Sequence, residues 1–75
     1  MTAHDRIEMK VGVMVGKPVI KGTRITVEHI LRECALGLSA DEIADLYPSI
    51  SPQDVHAALA FAADYMAREV AFAAE

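Results

Sequence analysis

Ile7, Met9 and Val11 alternate with Arg6, Glu8 and Lys10, the period of two that marks a strand with one wet face. After Gly12 an apolar patch, Val13-Met14-Val15, runs into the turn signal Gly16-Lys17-Pro18. Val19-Ile20-Lys21 then reads as a second short strand, with proline tolerated at its entry. Two such strands form a ribbon that is unstable by itself and has to pack on something. From Thr26 the period changes. Thr26 is a good N-cap, Val27, Ile30, Leu31 and Cys34 follow on one helical face, and Glu28, His29, Arg32 and Glu33 take the other. Gly37 stops this first helix. Ser39-Ala40-Asp41-Glu42 is a capping box that opens a short second helix with Ile43, Leu46 and Tyr47 inward, and Pro48 ends it. Ser51-Pro52-Gln53-Asp54 starts a third helix, and nothing breaks it before Glu75.

The pattern therefore predicts one unit, residues 1–75: a β arm with the GKPVIKGTRI segment over 1–25, then a three-helix core over 26–75. On the third helix Val55, Leu59, Met66 and Val70 share one side, while Phe61, Tyr65 and Phe72 stack on a second side roughly 120° away. A helix with two apolar stripes packs against two things. The domain's own helices can take one stripe; a second protomer or another protein would take the other, which makes Phe61, Tyr65 and Phe72 a candidate interface.

Length sharpens this expectation. A 75-residue chain buries only roughly 60–65% of the surface it would expose unfolded, so a homodimer or a partner protein is expected. Composition is 53% hydrophobic, much of it alanine, which packs closely but covers little area. A lone cysteine, Cys34, forms no internal disulfide, and no charged-then-apolar leader opens the chain, so a reducing cytoplasm is the expected location. The longest apolar runs fall far short of the roughly 18–20 residues of a membrane span.

Charge is divided unevenly. Residues 1–32 hold six of the seven Lys and Arg residues and net +3, whereas residues 33–75 hold only Arg68 against eight carboxylates and net −7. Phosphate contact is thus expected from the N-terminal half, through Arg6, Lys10, Lys17, Lys21 and Arg24.

For catalysis the chain offers no nucleophile with a base, no clustered metal ligands and no paired carboxylates at usable spacing, so neither an enzyme nor a cofactor or small-molecule substrate is expected. Gly16-Lys17 is followed by Pro18, which has no amide proton, and the order of a phosphate-binding loop is missing. Lys21-Gly22-Thr23-Arg24 offers a glycine suited to positive φ, a hydroxyl for a turn amide and a guanidinium fork. Arg24 either ties the arm to a helix through carbonyls or a carboxylate such as Glu28 or Asp54, or joins Lys17 and Lys21 in an exposed basic edge. The short helix at 40–47 and the longer one from 52 outline a helix-turn-helix. Gln53 and His56 could read base edges, yet Asp54 repels phosphate there and no Lys or Arg follows before Arg68. The alternative is a helix that simply packs.

GKPVIKGTRITVEHIL, followed by GLSADEIADLYPSISPQDVHAALAFAADY, resembles the small prokaryotic family called domain of unknown function 433, over about residues 13–65. Val11-Gly12-Val13 departs from the Asp-Pro that often precedes the family's motif. The resemblance implies a mainly α fold, a homeodomain-like three-helix core behind an N-terminal β arm. It also implies an antitoxin of a VapBC-like pair whose partner is a PIN-like ribonuclease, with Gly16, Pro18, Gly22, Thr23 and Arg24 as signature positions of no assigned role. The expectations are then an antitoxin that also binds operator DNA, a stand-alone DNA-binding regulator, or a plain homodimerisation module.

Overall fold

The computed structural model describes residues 4–9, 12 and 14–73, and side chains as far as Arg68. Two strands, β1 (Ile7–Glu8) and β2 (Val19–Ile20), pair antiparallel with Ile7 opposite Ile20 and Glu8 opposite Val19. Three helices follow, α1 (Val27–Ala35), α2 (Ala40–Leu46) and α3 (Pro52–Ala73). The protein is mainly helical with a small N-terminal ribbon. β1 is shorter than its alternation suggests: Met9 has left the strand and is 63% exposed, and Lys10 and Val11 lie outside the described residues. Between the strands the chain turns through Met14, Val15 and Gly16 at φ 49°, 57° and 79°. Only glycine takes that left-handed region without strain, and for a β-branched residue such as Val15 the cost is on the order of 1–3 kcal/mol.

The helix ends follow from local chemistry. The Thr26 hydroxyl accepts from the His29 amide to start α1. Gly37, at φ 96°, turns the chain out after it, its amide bonded to the Cys34 carbonyl. Ser39 and Glu42 form the expected capping box. A second reciprocal pair, Ser51 with Asp54, opens α3: the Ser51 amide donates to Asp54 Oδ2 at 2.9 Å, and the Asp54 amide donates to Ser51 Oγ at 3.3 Å.

Ile20, Val27, Ile30, Ile43, Ile50, Val55 and Ala58 form the buried core, so β2, all three helices and the α2–α3 loop each supply at least one side chain. α3 packs on both α1 and α2, and β1 lies against α3. Two expectations are corrected here. Leu46 points outward at 56% exposure, and Ile50 in the following loop is buried instead. On α3 the two apolar stripes are flanks of one broad face whose centre is small: Val55 and Ala58 are fully buried, and Phe61 and Ala62 pack against the core. Leu59 and Met66 are 39% and 57% exposed. Alanine at the centre lets α3 sit close to its neighbours, and this spreads the inward arc across the gap between the stripes. The side chains of Val70 and Phe72 fall outside the described set.

Past Ala62 every described side chain of α3, Ala63 to Arg68, is exposed, so this 22-residue helix runs well beyond the core. Among the described residues no helix is long and apolar enough to cross a membrane.

Ile43 is wholly buried where α2 meets the core. Ile43→Ala is expected to cost about 2–5 kcal/mol of unfolding free energy, read from urea denaturation followed by circular dichroism. A loss below about 1 kcal/mol would contradict this packing.

Candidate functional site

The GKPVIKGTRI segment closes on itself. The Thr23 amide donates to the Ile20 carbonyl at 2.9 Å, and Gly22, third in that turn, takes φ 80°, as a type II turn demands. A Cβ at Gly22 would meet open space, so the glycine is there for its dihedral and not for room. The Gly22 amide is held by Glu8 Oε2 at 2.9 Å. The Thr23 hydroxyl donates to the Ile20 carbonyl at 2.8 Å and accepts from the Ile25 amide at 3.0 Å. Across the loop the Ile20 amide donates to the Ile25 carbonyl and the Val27 amide to the Pro18 carbonyl, both at 2.9 Å. This wiring places Val19 and Ile20 inside and delivers Thr26 to cap α1.

The basic side chains divide into two groups. Arg6 Nη1 lies 3.0 Å from Asp54 Oδ1, and the Asp54 side chain is only 14% exposed, so this pair fastens β1 to the start of α3. Lys17 Nζ lies 3.2 Å from Glu28 Oε1, and Arg32 Nη2 lies 3.1 Å from the other oxygen of the same carboxylate. Lys17, and after it Arg32, hold the Glu28 carboxyl below its ordinary value. The tie to Glu28 or Asp54 considered for Arg24 is therefore made by Lys17 and Arg6. Lys21 and Arg24 are both exposed, and among the described residues neither has a side-chain hydrogen bond or ion pair. Lys10 lies outside the described residues.

Arg24 borders a hollow of about 300 Å³ with Met14, Ile25, Thr26, His29 and Tyr47. His29 Nε2 and the Tyr47 hydroxyl are 2.7 Å apart, with their rings edge to face at 5.4 Å. The left-handed turn puts Val15, 94% exposed, beside Met14 in the chain. One surface thus combines an unpaired guanidinium, an amphipathic ring pair and uncovered apolar side chains.

The helix-turn-helix outline is present in α2 and α3, with Gln53 and His56 exposed. The two helices carry exposed acids and few cations: Asp41, Glu42 and Asp45 are exposed on α2, Asp54 is engaged by Arg6, and neither helix has a Lys or Arg before Arg68. Such a face lacks the cations that draw a phosphate backbone.

A second surface follows α3. Met9, Leu31, Phe61, Tyr65 and Met66 line a groove of about 320 Å³ between α1 and α3. Phe61 and Tyr65 stack at 6.4 Å, and His4 stands edge-on to Phe61 while its Nε2 contacts Asp64 at 2.9 Å. Sequence reasoning did not find Arg6–Asp54, His4–Asp64 or His29–Tyr47. Asp54 was legible as a first-turn acid of α3 and as a carboxylate able to tie the arm to a helix, but with Arg24 as the partner and not Arg6.

A family model described as protein of unknown function (DUF433) matches residues 7–62. The chain belongs to the DUF433 family. The match begins where β1 begins and ends at Ala62, the last α3 residue packed on the core. The DUF433 region thus holds the whole ribbon, the closed loop and the three-helix packing, while the projecting part of α3 lies beyond it. No curated protein and no solved structure matches significantly.

The Glu28 carboxyl is expected to titrate below the ordinary glutamate range, measured by carboxyl carbon shifts in NMR, and Lys17→Met should raise its midpoint. A depressed folded value means that the small stabilisation it contributes is present at neutral pH and is lost as pH falls through that midpoint. An unchanged midpoint in the variant would contradict the Lys17 pairing.

Proposed function

We propose that this DUF433 chain is an antitoxin that binds and inhibits a PIN-like ribonuclease, with Arg24 at the centre of the contact. The observation that carries the reading is the state of Arg24: exposed, without a partner among the described residues, and set beside Met14, His29 and Tyr47. Arginine and aromatic side chains are the residues that most often dominate protein interfaces. A PIN-like active site is acidic, and a guanidinium fork pairs with carboxylates in two parallel hydrogen bonds. The resemblance of the GKPVIKGTRITVEHIL segment to antitoxin-type proteins adds the partner class.

Operator binding, if the antitoxin also represses its own operon, would rest on Lys21 and Arg24. Arg6 and Lys17 are already paired inside the chain, and the α2–α3 face is acidic. A regulator reading without a toxin is therefore the less supported of the two.

The test is to express the N-terminally tagged chain from its own operon, identify what co-purifies in stoichiometric amount, and assay RNA cleavage by that partner. A PIN-like ribonuclease held inactive is expected. Arg24→Ala should weaken its inhibition by about 30-fold, the effect of losing one interface hot spot, while the circular dichroism of the variant stays unchanged. Absence of any nuclease partner would overturn the proposal, and loss of helix content in the variant would return Arg24 to a structural role.

A further inference from the structure

The described part of α3 continues past the core with Tyr65 and Met66 more than half exposed, and Met9, equally uncovered, lines the same groove.

The charges along this projecting stretch match each other. Asp64 and Arg68 stand one turn apart, a spacing at which they could pair within the helix. They do not: Asp64 holds His4, and Arg68 is exposed with no hydrogen bond or ion pair among the described residues. Phe61, Tyr65 and Arg68 follow one another at steps of four and three, the spacing of a helix–helix seam. They also line one shared hollow with His4, Met9 and Asp64. A surface that carries an acid and a base four residues apart is complementary to itself turned by a two-fold axis.

We propose that a second copy of this chain covers the surface, α3 lying antiparallel on α3, so that Arg68 of each copy meets Asp64 and Tyr65 of the other. Centred between positions 66 and 67, the two-fold places residue 65 opposite 68 and brings 64 within reach. The guanidinium then lies over a tyrosine ring beside a carboxylate, an arrangement that combines a cation–π contact with an ion pair. The apolar side chains of Met9, Phe61 and Tyr65 are covered in the same step. This dimer is independent of what the Arg24 surface binds, because that hollow is lined by a different set of residues.

Sedimentation equilibrium on the full chain tests it. The expected mass is twice that of one chain at micromolar concentration. Arg68→Glu, which sets carboxylates against each other at both symmetry-related contacts, should weaken the dimer on the order of tenfold with helix content unchanged. Asp64→Arg should weaken it similarly, and an equimolar mixture of the two variants should recover dimers, now of one chain of each kind, since opposite charges again face each other. A monomer at about 100 µM, a dimer indifferent to Arg68→Glu, or a mixture that fails to recover would each overturn the proposal. If Asp64→Arg disturbs folding by releasing His4, Arg68→Glu alone and Tyr65→Ala decide the outcome, because both side chains are exposed and off the core.

Discussion

Everything in this chain depends on the closure of the loop between β2 and α1. Two backbone hydrogen bonds, Ile20 to Ile25 and Val27 to Pro18, draw the strand and the helix start together, and Thr23 and Glu8 satisfy the amides that the turn between them leaves over. The consequence is the burial of Val19 and Ile20, at 0% and 2% exposure, the side chains through which a two-stranded ribbon joins a helical core. A ribbon this short has no stability apart from that attachment. The glycines, the proline and the threonine of the segment are thereby explained by backbone geometry, and no bound ligand has to be invoked for them.

The same closure decides which cations remain for recognition. Arg6 and Lys17 stand where the ribbon meets the helices and are paired with Asp54 and Glu28. Lys21 and Arg24 are exposed at the turn, where the Glu8 carboxylate accepts from the Gly22 amide, and among the described residues neither cation has an ion pair. Of the four described cations in the ribbon and loop, two are thus left unpaired among the described residues, and one of them, Arg24, borders a hollow with an aromatic wall. On the opposite side of the question, the outward carboxylates of α2 oppose the use of the helix-turn-helix outline on DNA. Among the described residues two surfaces stand apart, one centred on Arg24 and one on the apolar flank of α3.

What could be read from the sequence is what is decided locally. The Thr26 cap, the Ser39–Glu42 box, the stop at Gly37 and the restart at Ser51 each depend on residues within four positions, and each stands where the pattern put it. The role of Gly22 and Thr23 in the turn was legible for the same reason. The side-chain ties were not: Arg6 and Asp54 are 48 residues apart and His4 and Asp64 are 60 apart, and no periodicity links them. The third helix misled for a different reason. Hydrophobic size draws the eye to Leu59 and Met66, which are exposed, whereas the small Ala58 is fully buried. An alanine-rich helix hides its inward face from a reading that weighs residues by bulk.

Amide hydrogen exchange tests the central claim most directly. If the loop is a closed structural joint, the amides of Ile20, Ile25 and Val27 exchange only with global unfolding, at the rate of Ile43 and Val55 in the core helices. If those three amides exchange orders of magnitude faster, as in an open surface loop, the segment is not what attaches the ribbon to the helices.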